Sequence, residues 1–122
     1  MRQGEVRLKR VYEPPDRDDG LRVLVDRLWP RGLTRTQVGA DLWLKDVAPT
    51  RELRRWFGHD ARRWKRFRHR YRAELARHPD ALRVLKDLRR RGAVTLLFAA
   101  HDEAHNHAVV LRETLESRTP RA

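Results

Sequence analysis

Apolar positions along this chain change period several times, and each change predicts an element. Val6, Leu8 and Val11 sit among charged residues and predict a first strand over 5–12. Residues 13–20 hold two prolines, a glycine and four acids and read as a loop. Over 21–28, Val23 and Val25 point one way and Leu24 the other. Both faces are apolar, as in a strand inside a sheet. Pro30 and Gly32 then force irregular backbone. A short third strand is expected over 41–47, ended by Pro49. Thr50 can cap a short helix with Leu53, Trp56 and Phe57 on one stripe, and Gly58 can close it. Asp60 can cap a longer helix over 61–76, where Trp64, Phe67, Tyr71 and Leu75 recur at helical spacing. Pro79 suits the first position of the next helix and Gly92 the position past its end. Residues 93–99 form a near-continuous apolar strand. A last helix is expected from about Asp102, with Ala104, Ala108, Leu111 and Leu115 inward.

Strands interleaved with helices predict an α/β fold. The expectation is a single small domain over 1–117, with three or four strands in a parallel or mixed sheet, about four flanking helices and a frayed tail at 118–122. A chain of 122 residues has room for one core. Cysteine is absent, which removes disulfides, thiolate metal sites and a cysteine nucleophile. The longest apolar run, 94–100, is interrupted early by Thr95 and too short to cross a membrane, and residues 1–5 open no apolar stretch. The expectation is a soluble cytoplasmic protein.

Charge changes this picture most. Lys and Arg total 29 against 17 acids, a formal net charge of +12, and all but Lys9, Lys45, Lys65 and Lys86 of those cations are arginines. Such a chain attracts polyanions and anionic small molecules. Residues 54–72 carry nine cations against the single acid Asp60. That face, with Arg62, Arg66 and Arg70 on it, can lie along a phosphate backbone, or it can be a solvated helix whose long stems cover apolar surface. No RNP, zinc-finger, GXXG or helix-turn-helix pattern accompanies it.

Three segments carry a resemblance. They are Leu24-Val25-Asp26-Arg27-Leu28-Trp29-Pro30-Arg31-Gly32, the stretch from Trp43-Leu44-Lys45-Asp46 to Gly58-His59-Asp60, and the stretch from Leu96-Leu97-Phe98 through Ala100-His101-Asp102 to His107-Ala108. In order and spacing the chain resembles the YeaO-like proteins, a family known as a domain of unknown function, over about residues 6–115. The resemblance implies a small bacterial or archaeal α/β domain and implies no particular reaction. Where that family reads Ala-Arg/Lys-Asp this chain has His101, so a permanent cation is missing there.

Candidate chemistry collects at the predicted strand ends, where open α/β sheets bind ligands. Asp26, Arg27 and Arg31 follow the second strand, Lys45 the third, and His101 and Asp102 the fourth. Arginine forks suit carboxylate or phosphate groups, so Arg27, Arg31 and Lys45 are candidate anion binders. Asp26, Asp102 and His59 are candidate proton carriers, the last beside Asp60. The same charges can instead pair with neighbours and fix loops. Trp29 can stack a planar ligand or fill the core. His101 and His105 stand four apart, as metal ligands on a helix do. There is no Walker or Rossmann glycine string, and no cofactor is predicted.

Three readings follow. The first is an anion-binding pocket at the strand carboxyl ends, in an enzyme acting on a phosphorylated or nucleotide-like substrate. The second is a non-catalytic nucleic-acid-binding module using the basic helix over 61–75. The third is a metal-dependent hydrolase at His101 and His105.

Overall fold

The computed structural model describes residues 4–117. Four strands form one sheet: β1 (Val6–Arg10), β2 (Leu21–Leu24), β3 (Leu42–Trp43) and β4 (Val94–Phe98). Their order is β1-β4-β2-β3, and every pairing is parallel. The helices are α1 (Arg35–Val38), α2 (Arg51–Phe57), α3 (Trp64–Ala76), α4 (Pro79–Arg91) and α5 (His107–Glu116). The fold is α/β, and the mixed-sheet option drops out. The segment after β1 is too short for a crossover helix, yet β1 and β2 are not neighbours, because β4 lies between them and pairs with both. The expected tail at 118–122 lies outside the described residues. No helix among the described residues is long and apolar enough to cross a membrane.

β4 is the spine, and all five of its residues are buried. Its pleat divides the interior. Val94, Leu96 and Phe98 face the larger core with Val23, Val25, Phe67, Tyr71 and Leu111, while Leu97 faces a smaller one with Leu24, Val11 and Val38. Helices α2–α5 roof the larger core. Trp29 and Trp43 close the smaller one, packed edge to face with centroids 5.4 Å apart. Of the expected stripe on α3, Phe67, Tyr71 and Leu75 are buried and Trp64 is half-buried against them.

Several elements end where local capping wins over periodicity. β2 stops at Leu24, although the Val25 N–H still bonds Leu97 O at 3.1 Å. The expected strand over 41–47 pairs only at Leu42 and Trp43, and a 3-10 turn over Lys45–Val47 follows, burying Val47. Residues 61–63 form a 3-10 turn capped by Asp60 before α3 begins. Thr50 caps α2, and its own N–H and hydroxyl donate to Glu74 on α3 at 2.9 and 2.6 Å. α5 starts at His107, five residues later than expected, because Asn106 and not Asp102 is its cap. α1 lies outside every expected element, yet Thr34 and Gln37 form a reciprocal capping box around it.

Ahead of β2, a buried ion cluster ties the sheet to the loop after β1. Asp19, on a 3-10 turn, accepts from Lys9 Nζ at 3.2 Å and pairs with Arg22, whose guanidinium also donates to Gly39 O and Val38 O. Burial pushes the Asp19 carboxyl up, but hydrogen bonds from Asp16 N–H, Lys9 and Arg22 outweigh it and hold the pKa below the usual 3.8. A depressed carboxylate stabilises the fold above its unfolded pKa and loses that contribution as pH falls through the folded value. Asp19→Asn is therefore expected to cost about 3 kcal/mol at neutral pH, by leaving buried cations short of a partner. Denaturant melts across acid pH should show a shallower acid loss in the variant than in the wild type. Equal slopes would remove Asp19 from the acid response.

Candidate functional site

Beyond the carboxyl ends of β2 and β4 lies a pocket of about 610 Å³. Four stretches converge on it: residues 26–31 after β2, residues 99–102 after β4, the turn between α2 and α3, and the start of α5. Phe57 and Phe67, stacked with centroids 4.4 Å apart, form an apolar wall, with Ala48, Pro49 and Pro30 beside them. The rim carries Leu28 and Tyr12, 54% and 48% exposed and the two most exposed large apolar residues among those described.

Asp26 sits where the two strands diverge. Its Oδ2 accepts from Ala99 N–H at 3.0 Å, and its backbone carbonyl accepts from Trp43 Nε1 at 2.7 Å. Its Oδ1 lies 3.2 Å from His107 Nε2. That ring nitrogen is 3.0 Å from Val25 O, an acceptor only, so Nε2 carries the proton and sends it there. Oδ1 is thus in ion-pair reach of the imidazole yet has no hydrogen bond of its own. Arg27 donates from Nε to Pro49 O and from Nη2 to Ala48 O, both at 3.2 Å, which fixes the fork and leaves Nη1 over. Arg31 and Arg54 are exposed on the lining, and their guanidiniums have no ion-pair or hydrogen-bond partner among the described residues.

Asp102 folds its own loop. Oδ1 accepts from the N–H groups of Ala104 and His105, both at 2.9 Å, and Oδ2 lies 3.0 Å from His105 Nδ1. The His105 ring first, and the Ala104 amide next, hold its carboxyl below the usual range. Tyr71 lies behind the wall. Burial first, then the charges of Glu74 and Asp26, push its hydroxyl well above the ordinary value, so it stays neutral and donates to Val47 O.

Of the expected site residues, Asp26, Arg27, Trp29, Arg31, His59, His101, Asp102 and His105 line this one pocket. Lys45 does not. The 3-10 turn carries it away, and its ammonium stacks over the Trp43 ring at 4.1 Å. His101 and His105 precede α5 in a bent loop, so the helical i, i+4 face assumed for them does not form. No group of three or more His, Asp or Glu that could hold a metal occurs among the described residues. Asp60 gives its oxygens to Arg62 and Arg63, not to the His59 ring. Those bonds, the Arg62 side chain first, hold its carboxyl below the usual range. Arg62, Arg66 and Arg70 lie outside the pocket, with Arg70 stacked on Trp56 at 5.0 Å.

Among the charged, histidine and amide side chains of the lining, sequence reasoning missed three: Arg54, Asn106 and His107. Arg54 was readable as a neighbour of Phe57 on the helix surface. Asn106 carried an N-cap signal, with Ala108 and Leu111 following at helical spacing. His107 gave none, because its role depends on the approach of β2.

The family described as the inactive DUF488-N3 subclade matches residues 5–122. Among curated proteins, the chain is 42% identical over 112 residues to the uncharacterized protein YeaO of Escherichia coli, covering 92% of this chain and 97% of that one. It is 44% identical over 118 residues to the uncharacterized proteins Mb3100c of Mycobacterium bovis and Rv3073c of Mycobacterium tuberculosis, covering 97% of this chain and 99% of each. No solved structure matches it.

His59 alone among the described non-glycine residues has a positive φ, 58°, next to Gly58 at 53°. A side chain in the left-handed region costs roughly 1–2 kcal/mol, and here the strained residue faces the pocket. His59→Gly is expected to raise stability by about 1 kcal/mol in denaturant unfolding. A loss of stability would mean that the ring itself holds the turn.

Proposed function

Because the chain belongs to the inactive DUF488-N3 subclade, we propose that it binds an anionic small molecule of phosphorylated or nucleotide-like character in the strand-end pocket without turning it over. The observation that carries the reading is the distribution of hydrogen bonds around the lining charges. The two carboxylates proposed for proton transfer are spent on architecture: Asp26 on Ala99 N–H and Asp102 on the amides of its own loop. The cations Arg31 and Arg54 are left without partners among the described residues, and Arg27 keeps Nη1 over. A phosphate or carboxylate supplies what these forks lack.

The rest of the lining suits a ring-bearing body. Phe57, Phe67 and Pro49 offer an apolar wall, with Trp29 and His59 beside the anion-binding groups. Asp26, Asp102 and His59 then act as positioning groups.

Calorimetric titration with nucleoside monophosphates, sugar phosphates and inorganic phosphate tests this. Binding should raise the melting temperature, since such a ligand binds only the folded chain. Arg31→Ala and Arg54→Ala should each weaken binding about tenfold or more, because hydrogen bonds to charged groups contribute about 1.5–3 kcal/mol, and should leave the unliganded melting temperature near the wild-type value. The ligand should be recovered unchanged. Conversion of the ligand that is abolished by Asp26→Asn would overturn the non-catalytic reading. Absence of binding by all three classes would overturn the pocket assignment.

A further inference from the structure

The turn between α2 and α3 belongs both to the pocket and to the most cationic surface of the chain. Arg54 and His59 line the pocket, and Arg55, Lys65 and Arg66 stand on the same helical hairpin. We infer that the pocket receives the phosphorylated terminal nucleotide of a single-stranded nucleic acid whose adjoining backbone runs along this hairpin, an inference that rests on the pocket reading above.

The acids nearby neutralise only part of the hairpin. Glu113 on α5 takes Arg68 and Arg72 at 2.7 and 3.0 Å, and Asp60 takes Arg62 and Arg63 at 3.1 and 3.8 Å. The side chains of Arg55, Lys65 and Arg66 are exposed and have no ion-pair or hydrogen-bond partner among the described residues. The position of the last two is informative. They fall in the first turn of α3, which holds no acid. Asp60, which caps the 3-10 turn ahead of α3, is taken by Arg62 and Arg63, so the charges of Lys65 and Arg66 stand open to an external anion.

The half-buried Trp56 ring packs on the core and is covered by the Arg63 and Arg70 guanidiniums at 5.3 and 5.0 Å, so it is the exposed Arg70 fork, held in place on that ring, that a passing strand would meet. The size of the pocket favours a single strand over a duplex. A pocket of about 610 Å³ fits one ligand of nucleotide size, and a paired terminal base would have to leave its stack to enter.

Fluorescence anisotropy at about 150 mM salt decides the matter. The probes are DNA and RNA strands of about eight nucleotides, phosphorylated at the 5′ end, at the 3′ end or at neither, alongside a blunt duplex and a nucleoside monophosphate. One phosphorylated strand should bind about tenfold tighter than the unphosphorylated strand and the monophosphate. The variant Arg55→Ala/Lys65→Ala/Arg66→Ala should lose at least about tenfold in strand affinity and flatten the salt dependence, with monophosphate affinity unchanged. Removing as many cations from α4, as Arg83→Ala/Lys86→Ala/Arg91→Ala, should leave strand binding intact. Equal binding of phosphorylated and unphosphorylated strands, equal binding of duplex, or equal losses from the α3 and α4 variants would overturn the inference. A monophosphate that binds as tightly as any strand would overturn it and leave the pocket reading standing. A monophosphate that fails to bind, with Arg31→Ala silent for every probe, would overturn both.

Discussion

Where β2 runs out, the Asp26 residue joins four pieces of chain at once. One carboxylate oxygen caps the amide of Ala99 at the end of β4, and the other stands in ion-pair reach of His107 at the start of α5. The backbone carbonyl holds the Trp43 indole at the end of β3. Parallel strands that diverge beyond their last ladder bond leave unpaired amides and an opening between them. Asp26 satisfies one such amide and fixes the width of that opening, and the pocket is what remains.

The same constraint bears on why a cluster of acids, arginines and histidines can look like a reaction centre while, in the reading proposed above, it only binds. A general base needs an oxygen free to take a proton from the ligand, at a pKa near the working pH. Asp102 is held below the ordinary carboxylate range by the His105 ring and two amides, and Tyr71 is pushed far above its own range by burial. Neither is poised for proton transfer near neutrality. The guanidiniums at the mouth need no titration to bind an anion. That division agrees with a family described as inactive.

Much of the scaffold was legible because punctuation is local. Thr50, Gly58, Asp60, Pro79 and Gly92 each sit at the helix or turn boundary that their side-chain chemistry favours. The buried strand β4 was legible as an unbroken apolar run, and the gathering of Asp26, Arg27, Arg31 and Asp102 followed from strand ends. What escaped was set by tertiary contacts. Lys45 left the pocket because β3 pairs for two residues only and then turns. The start of α5 lay between two competent caps, Asp102 and Asn106. Asp102 instead binds the amides of its own loop, and Asn106 fastens itself to Asp102 O at 2.9 Å and caps the helix. The tie between His107 and Val25 O joins residues far apart in the chain, with no periodicity to announce it.

The central claim is that the strand-end pocket holds an anionic ligand and leaves it unchanged. The most direct test is one NMR titration of the isotopically labelled protein with a nucleoside monophosphate, following backbone amides and the ligand phosphorus together. The account predicts that amide shifts concentrate at residues 26–31, 54–59 and 99–107, while the phosphorus signal moves with binding and gives rise to no new species. Shifts confined to α4, or a new phosphorus signal that grows with time, would contradict it.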